Sequence, residues 1–146
     1  MSNEVLEFAE IIGAKDLKKM LHGTELSSLI KRRNYFSLKN GVYLIIKVSR
    51  NKKQPFFGLG KQFFDLFNIL TENISTYYFV GLETKYSGYV LSKSQLHNMI
   101  SNKSLSHSAD GKEFKINYYN LKDKDHFISP RSFLKKIGFG DTEGII

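Results

Sequence analysis

The residues whose chemistry stands out in this sequence lie between positions 47 and 64, in the stretch KVSRNKKQPFFGLGKQFF. This stretch combines five basic residues with four phenylalanines and has no aspartate or glutamate. It belongs to a longer acid-free interval, from Leu26 to Phe64, that contains nine basic residues: Lys31, Arg32, Arg33, Lys39, Lys47, Arg50, Lys52, Lys53 and Lys61. A positive field without local neutralisation attracts phosphates and releases their counterions. The alternative is a solvated face whose acids come from elsewhere in the fold.

Within this interval, a predicted loop at 50–54 carries two kinds of nucleic-acid-binding side chain. Arg50, Asn51 and Gln54 are of the types that read base edges through paired hydrogen bonds. Lys52 and Lys53 are of the type that holds the phosphate backbone. The loop therefore predicts a surface that both holds the phosphate backbone in position and recognises particular bases. Lys47 precedes this loop and Lys61 follows it.

Two further surfaces have phosphate-binding character. Ser92, Lys93, Ser94 and Gln95 lie at a predicted strand-to-helix corner, where the helix N-terminus would add its own attraction for phosphate. Lys103 lies in the polar stretch 102–107. The sequence does not indicate which of the three surfaces share a face.

Length and composition favour one basic domain over residues 1–146. We expect a helical segment at 1–34, a sheet-containing core at 35–138 and a tail or linker at 139–146. The net charge is +8, and 41% of the residues are hydrophobic. Such a charge favours a polyanionic partner. The chain has no cysteine and no apolar run long enough to span a membrane, so we expect a cytoplasmic protein that does not bind a membrane.

The hydrophobic pattern predicts a mixed α+β fold with a barrel-like sheet of five or more strands and flanking helices. Helical spacing covers 3–22 with a break at Gly13, and a short helix is predicted to carry Leu26, Leu29 and Ile30. Asn40-Gly41 predicts a hairpin with positive φ at both residues, followed by a strand with one fully apolar face. Residues 51–60 are predicted to form a loop, and 61–70 a helix.

Further along the chain, 77–83 predicts a central strand that pairs with 87–92. Ser92 or Ser94 is predicted to cap a helix carrying Leu96, Met99 and Ile100. The alternating stretch EFKINYY predicts another strand, and PRSFLKKIGF a final amphipathic helix.

No pattern in the sequence predicts a catalytic centre, a metal site or a cofactor site. The four histidines, His22, His97, His107 and His126, lack the spacing of metal ligands. Residues 58–61, GLGK, lack the remainder of a phosphate-binding P-loop. We therefore expect no cofactor, and no enzyme activity from this chain alone.

Two families resemble parts of the chain. NGVYLIIKVSR, followed by a predicted helix and YYFVGLE, resembles the PD-(D/E)xK nuclease core of archaeal Holliday-junction resolvases, over about residues 40–95. Such a nuclease needs metal-binding carboxylates on the strand after the hairpin, where this sequence has LIIKVSR. An active metal nuclease of this class is therefore not expected, although a degenerate one, or one that uses a partner's acids, remains an alternative.

Three segments, KVSRNKKQPFFGLGKQFFDLF, YYFVGLETKYSGYVLSKSQL and GKEFKINYYNL, resemble the pseudobarrel DNA-recognition domain of plant transcription factors and restriction endonucleases. The resemblance covers about residues 35–128 and implies a barrel-like sheet whose loop-bearing arms grip the major groove. It also implies a nuclease carried by another chain or domain of a restriction or defence system. The helical first third departs from this pattern.

The leading hypothesis is therefore sequence-specific recognition of duplex DNA, with RNA as another possible ligand. The alternatives are the nuclease-fold protein and a protein-interaction domain with an acidic partner. The predicted DNA-binding residues are Lys47, Arg50, Asn51, Lys52, Lys53, Gln54, Lys61, Ser92, Lys93, Ser94, Gln95 and Lys103.

Overall fold

The computed structural model describes residues 3–25, 27, 34–49, 53–62, 76–122 and 124–146. The helices in these ranges are α1 (Asn3–Ile11), α2 (Leu17–Met20), α3 (Lys93–Ser101), α4 (Tyr118–Leu121) and α5 (Pro130–Lys136). The strands are β1 (Lys15–Asp16), β2 (Tyr35–Ser37), β3 (Val42–Val48), β4 (Phe56–Gly60), β5 (Thr76–Leu82), β6 (Gly88–Ser92), β7 (Ser106–His107), β8 (Glu113–Asn117) and β9 (Asp125–Phe127).

Six strands form the larger sheet, in the order β1-β2-β3-β5-β6-β9. The central strands β3 and β5 are parallel, whereas every other neighbouring pair is antiparallel. The hairpin between β2 and β3 confirms the turn predicted at Asn40 and Gly41, whose φ angles are 63° and 71°. The predicted pairing of the central strand with the strand after it is also confirmed, as β5 and β6.

Each face of the large sheet packs against its own layer, because side chains alternate along a strand. On one face, Leu44 of β3 and Val80 of β5 belong to the core that includes Phe8 of α1 and Phe133 of α5. The opposite face packs against the second sheet and α3. Its core contains Ile45, Tyr77, Phe79, Leu91, Leu96, Met99, Phe57 and Ile116.

The second sheet, in the order β4-β8-β7, includes a strand where the sequence predicted a loop. Phe57 and Leu59 are buried and alternate with Gly58 and Gly60, which is the period of a strand, and β4 pairs with β8 over its whole length. The prediction was wrong because Pro55, Gly58 and Gly60 favour a loop when only their local sequence is considered. A strand can use glycine where another part of the chain approaches closely.

The helical N-terminal segment and its predicted break at Gly13 are confirmed, but the short strand β1 between α1 and α2 was not predicted. Gly13 has a φ of 73°, which ends α1, and Lys15 and Asp16 then pair with β2. The Asp16 side chain accepts a hydrogen bond from the Lys18 amide and so begins α2.

The fold class is confirmed: an α+β protein with a mixed sheet of more than five strands and flanking helices. In the described pairings the sheet is open, with β1 and β9 at its edges. Most of the short helix predicted around Leu26, and that predicted at 61–70, lie outside the described residues. In the part of the chain that the structure describes, no helix has the length and apolar character needed to span a membrane.

The last residues, predicted to be a tail or linker, contact the body of the protein. Thr142 is buried, and its Oγ1 accepts a hydrogen bond from Arg131 Nε. The Arg131 amide donates to the carbonyl oxygen of Ile146. Residues 139–146 therefore pack against α5 and the core beside it.

Candidate functional site

The basic loop begins at the carboxyl ends of the parallel strands β3 and β5. The Ser49 amide donates a 2.9 Å hydrogen bond to Leu82 O at the end of β5. The Ser49 hydroxyl accepts from the Phe56 amide at the start of β4. Buried Ser49 thus ties the two ends of the loop together.

Of the predicted loop residues, Lys53 and Gln54 are exposed, whereas Arg50, Asn51 and Lys52 lie outside the described residues. Because the ends of the loop are fixed on two strands, Lys53 and Gln54 are displayed from a rigid support. This is the arrangement expected of a recognition loop.

A row of residues crosses the sheet just before this loop. Lys47 of β3 pairs with Gly81 of β5, Gly81 with Tyr89 of β6, and Tyr89 with His126 of β9. The ring of Phe57 covers Gly81, where a Cβ atom would lie only 2.6 Å from Phe57 Cζ. Gly81 therefore allows β4 to approach the large sheet. The basic loop lies between β3 of that sheet and β4 in the chain.

We call this part of the molecule the loop end. It comprises Ser49 and residues 53–55 at the two ends of the basic loop, the β5–β6 turn at 83–87 and the segment 118–122. The last of these belongs here because Asn117 pairs with Phe56, the first residue after the loop.

A cluster of polar and aromatic groups, which includes Glu83 and Tyr118 of the loop end, extends to the neighbouring residues Tyr89 and His126. His126 Nε2 lies 2.7 Å from Glu83 Oε1, and the ring centroids of His126 and Tyr89 are 4.8 Å apart. Burial, together with the negative charges of Glu83 and of ionised Tyr118, raises the pKa of Tyr89. At the same end, Lys85 forms an ion pair with Glu7 of α1 at 3.1 Å.

The most exposed aromatic group of the loop end is in α4. Tyr119 is 69% exposed, and the Lys122 ammonium lies 5.7 Å from its ring centroid. The prediction from EFKINYY was wrong at Tyr118, which begins a helical turn and does not continue the strand. The signal for this turn was the pair Asn117 and Asn120, since the two residues cap it reciprocally.

Lys47 and Lys61, although both predicted to contact DNA, point towards a cleft between the two sheets. The Lys47 ammonium donates a hydrogen bond to Gly58 O, and that of Lys61 lies 5.0 Å from the ring centroid of Phe114. Asp110 and Glu113 also line this cleft, whose volume is about 570 Å³. A hydrogen bond from Ser108 and one from the Lys112 amide lower the pKa of Asp110. The cleft is thus lined by both basic and acidic side chains, whereas the predicted loop at 50–54 contains basic but no acidic residues.

The corner at 92–95 lies at the opposite end of the sheet from the loop. Ser92 pairs with Tyr78, near the start of β5, whereas Val48 pairs with Leu82 at its end. The four residue steps from Tyr78 to Leu82 correspond to about 13 Å. The loop and this corner therefore do not share one surface patch.

The polar groups at this corner have local partners. Ser92 and Gln95 form the capping box of α3, and Lys93 lies 5.6 Å from the ring centroid of Tyr77. Ser94 is exposed. Lys103, beyond the end of α3, is exposed with a φ of 60°.

The catalytic residue types do not converge in the described residues. They contain no group of three or more histidine, aspartate or glutamate side chains that could hold a metal ion. Ile45 and Ile46, on the strand where a PD-(D/E)xK nuclease needs an acid, are buried on opposite faces in the two cores. His97 hydrogen-bonds Tyr77, and His107 packs against Phe114.

Comparison with protein-family models, with curated proteins and with solved structures gives no match to this chain.

Proposed function

We propose that this chain is a nucleic-acid-binding module that recognises duplex DNA as part of a restriction or defence system, with its catalytic subunit or domain elsewhere. The observation that carries the proposal is the position of the acid-free segment. Its loop is anchored by Ser49 beyond the carboxyl ends of β3 and β5, where Lys53 and Gln54 are exposed.

The charges around the loop favour the same function. Lys85 and Lys122 belong to the loop end, on two further segments. The acids Glu7 and Glu83 each have a cationic or imidazole partner, Lys85 and His126 respectively. An anionic ligand at the loop would therefore meet lysines from two segments of the chain, Lys53 and Lys122, whereas Lys85 is already paired with Glu7.

Fluorescence anisotropy with a labelled duplex at several salt concentrations tests the proposal. We expect the logarithm of the association constant to fall linearly with the logarithm of the salt concentration, by about 0.9 per phosphate contacted. Binding that is absent, or that does not respond to salt, would refute the proposal. The same titration with RNA distinguishes the two nucleic acids.

A matched pair of variants tests the position of the interface. Lys53→Ala removes an exposed lysine from the loop, and Lys39→Ala removes one from the hairpin turn at the opposite end of β3. We expect Lys53→Ala to weaken binding to all sequences and to reduce the salt slope by about one. Lys39→Ala should leave both unchanged. Equal effects would place the interface elsewhere.

The nuclease-fold alternative retains one favourable observation. The hairpin β2–β3 precedes the paired strands β5 and β6, which is the strand order on which that resemblance rests. Incubation of plasmid DNA with the protein and Mg²⁺ or Mn²⁺ tests it. Metal-dependent cleavage would favour this alternative, and intact plasmid would count against it.

A further inference from the structure

We propose that Tyr119 and Lys122 form a stacking site for an unpaired base, so that the preferred ligand is a duplex that carries a single-stranded segment. This inference rests on the proposed function and specifies the form of nucleic acid that the loop end binds. The ring of Tyr119 is exposed to solvent, although several contacts hold the turn α4 that carries it.

The turn is held from several directions. Asn117 and Asn120 exchange hydrogen bonds between side chain and backbone amide, at 2.9 and 3.2 Å. The side-chain Nδ2 of Asn120 also donates to Ser104 O, and Leu121 is completely buried. The position of Tyr119 is therefore set before any ligand arrives, which lowers the entropy cost of binding through it.

The ring itself is available for stacking. Tyr119 is 69% exposed, and the neighbouring ring of Tyr118 meets it edge-on, with the centroids 5.9 Å apart and an interplanar angle of 67°. Aromatic side chains displayed in this way bind bases through their faces and do so with any base. Bases inside a duplex have both faces covered by their neighbours, whereas an unpaired nucleotide can offer a free face, so the site favours an unpaired nucleotide.

The charge beside the ring favours a nucleotide over an uncharged aromatic ligand. Lys122 Nζ lies 5.7 Å from the Tyr119 ring centroid, within reach of a phosphate attached to a stacked nucleoside. The turn also follows directly from Asn117, whose partner Phe56 is the first residue after the basic loop. A duplex held by the loop could therefore place its single-stranded end on Tyr119.

The test compares a blunt duplex with the same duplex carrying a single-stranded overhang that contains 2-aminopurine. We expect the wild type to bind the overhang duplex roughly 5- to 150-fold more tightly, the range for one stacked base, and to quench its fluorescence. Tyr119→Ala should lose both the preference and the quenching. Tyr119→Phe, which keeps the ring, should retain them, and circular dichroism should show all variants folded.

Tyr86 provides the matched control. It is also exposed, with Lys85 Nζ 5.1 Å from its ring centroid, but Lys85 is paired with Glu7 on the α1 side of the sheet. Tyr86→Ala should retain the overhang preference. Equal affinity of the wild type for both duplexes, or an unchanged preference in Tyr119→Ala, would overturn the stacking site while leaving the proposed function intact. Failure to bind either duplex would overturn the proposed function itself.

Discussion

Gly81→Ala tests the contact that brings the two sheets together at the loop end. The added Cβ would lie 2.6 Å from Phe57 Cζ and 2.7 Å from Cε2, whereas carbon atoms in contact are about 3.5–4.0 Å apart. The ring would thus have to move by about 1 Å. Phe57 is only 1% exposed and packs edge-on against Phe79, with centroids 5.5 Å apart, so it has little room to move.

The expected loss of stability follows from two opposing effects. Overpacking of this kind costs about 1–3 kcal/mol. Replacing a strand glycine by alanine recovers about 0.5–1 kcal/mol, because the unfolded chain loses conformational freedom. We therefore expect Gly81→Ala to lower the free energy of unfolding by about 1–2 kcal/mol. Urea denaturation followed by far-UV circular dichroism measures it, since the chain has no tryptophan.

Two further variants identify the cause of that loss. Gly60→Ala is the matched control, because a Cβ there has no atom within 4 Å and the strand backbone accepts it. It should leave stability unchanged or raise it by up to about 1 kcal/mol. Phe57→Leu removes the clashing ring carbons, so Gly81→Ala should cost less than about 0.5 kcal/mol in that background. An equal cost in both backgrounds would refute the reasoning.

Three other predictions follow from particular contacts. Gly88→Ala should lower the free energy of unfolding more than Gly81→Ala, by about 3 kcal/mol or more, because its Cβ would meet backbone atoms, the nearest 2.2 Å away. An equal or smaller loss of stability in urea would contradict this. Ser92→Ala should cost about 1 kcal/mol through loss of the α3 cap without weakening DNA binding, and a loss of affinity at equal stability would instead indicate a DNA contact. Burial raises the pKa of Tyr77 to about 12, above its ordinary value of 10. The folded state therefore holds this proton more tightly, and stability present below pH 10 is lost as the pH rises towards 12. After allowance for solvent screening near exposed His97, we expect this loss of stability to be about 1–2 kcal/mol. In alkaline urea titrations, the difference in free energy of unfolding between wild type and Tyr77→Phe should change by this amount. A difference that does not depend on pH would contradict the prediction.

Local patterns in the sequence were sufficient for elements whose determinants are near neighbours. Asn40-Gly41 predicted the hairpin because positive φ is a property of those two residues. The apolar run 77–83 predicted a central strand because a strand covered on both faces needs apolar side chains on both. Ser92 or Ser94 was predicted to cap the next helix in the same way, and in the structure Ser92 is the cap, with Gln95 completing a capping box.

The strand β4 was not recognised because its support comes from distant residues. Gly58 and Gly60 are typical of loops in isolation, yet β4 pairs with β8, more than fifty residues later in the chain. The exposed turn carrying Tyr119 was missed for a related reason. Asn117 stops the strand by capping α4, and this turn is held by a hydrogen bond to Ser104.

The sequence by itself determined the charge of the protein, its α+β class and the acid-free segment, because these depend on composition and on spacing within one segment. Only the tertiary structure decided which of the charged residues lie on the same surface of the protein. The pairings of β3 with β5 and of β5 with β6 place Ser49, where the basic loop begins, and the Ser92 corner at opposite ends of the sheet, and the pairing of β4 with β8 brings Tyr119 close to the other end of that loop. Proximity of this kind depends on strand order and register, which arise from contacts between residues far apart in the chain.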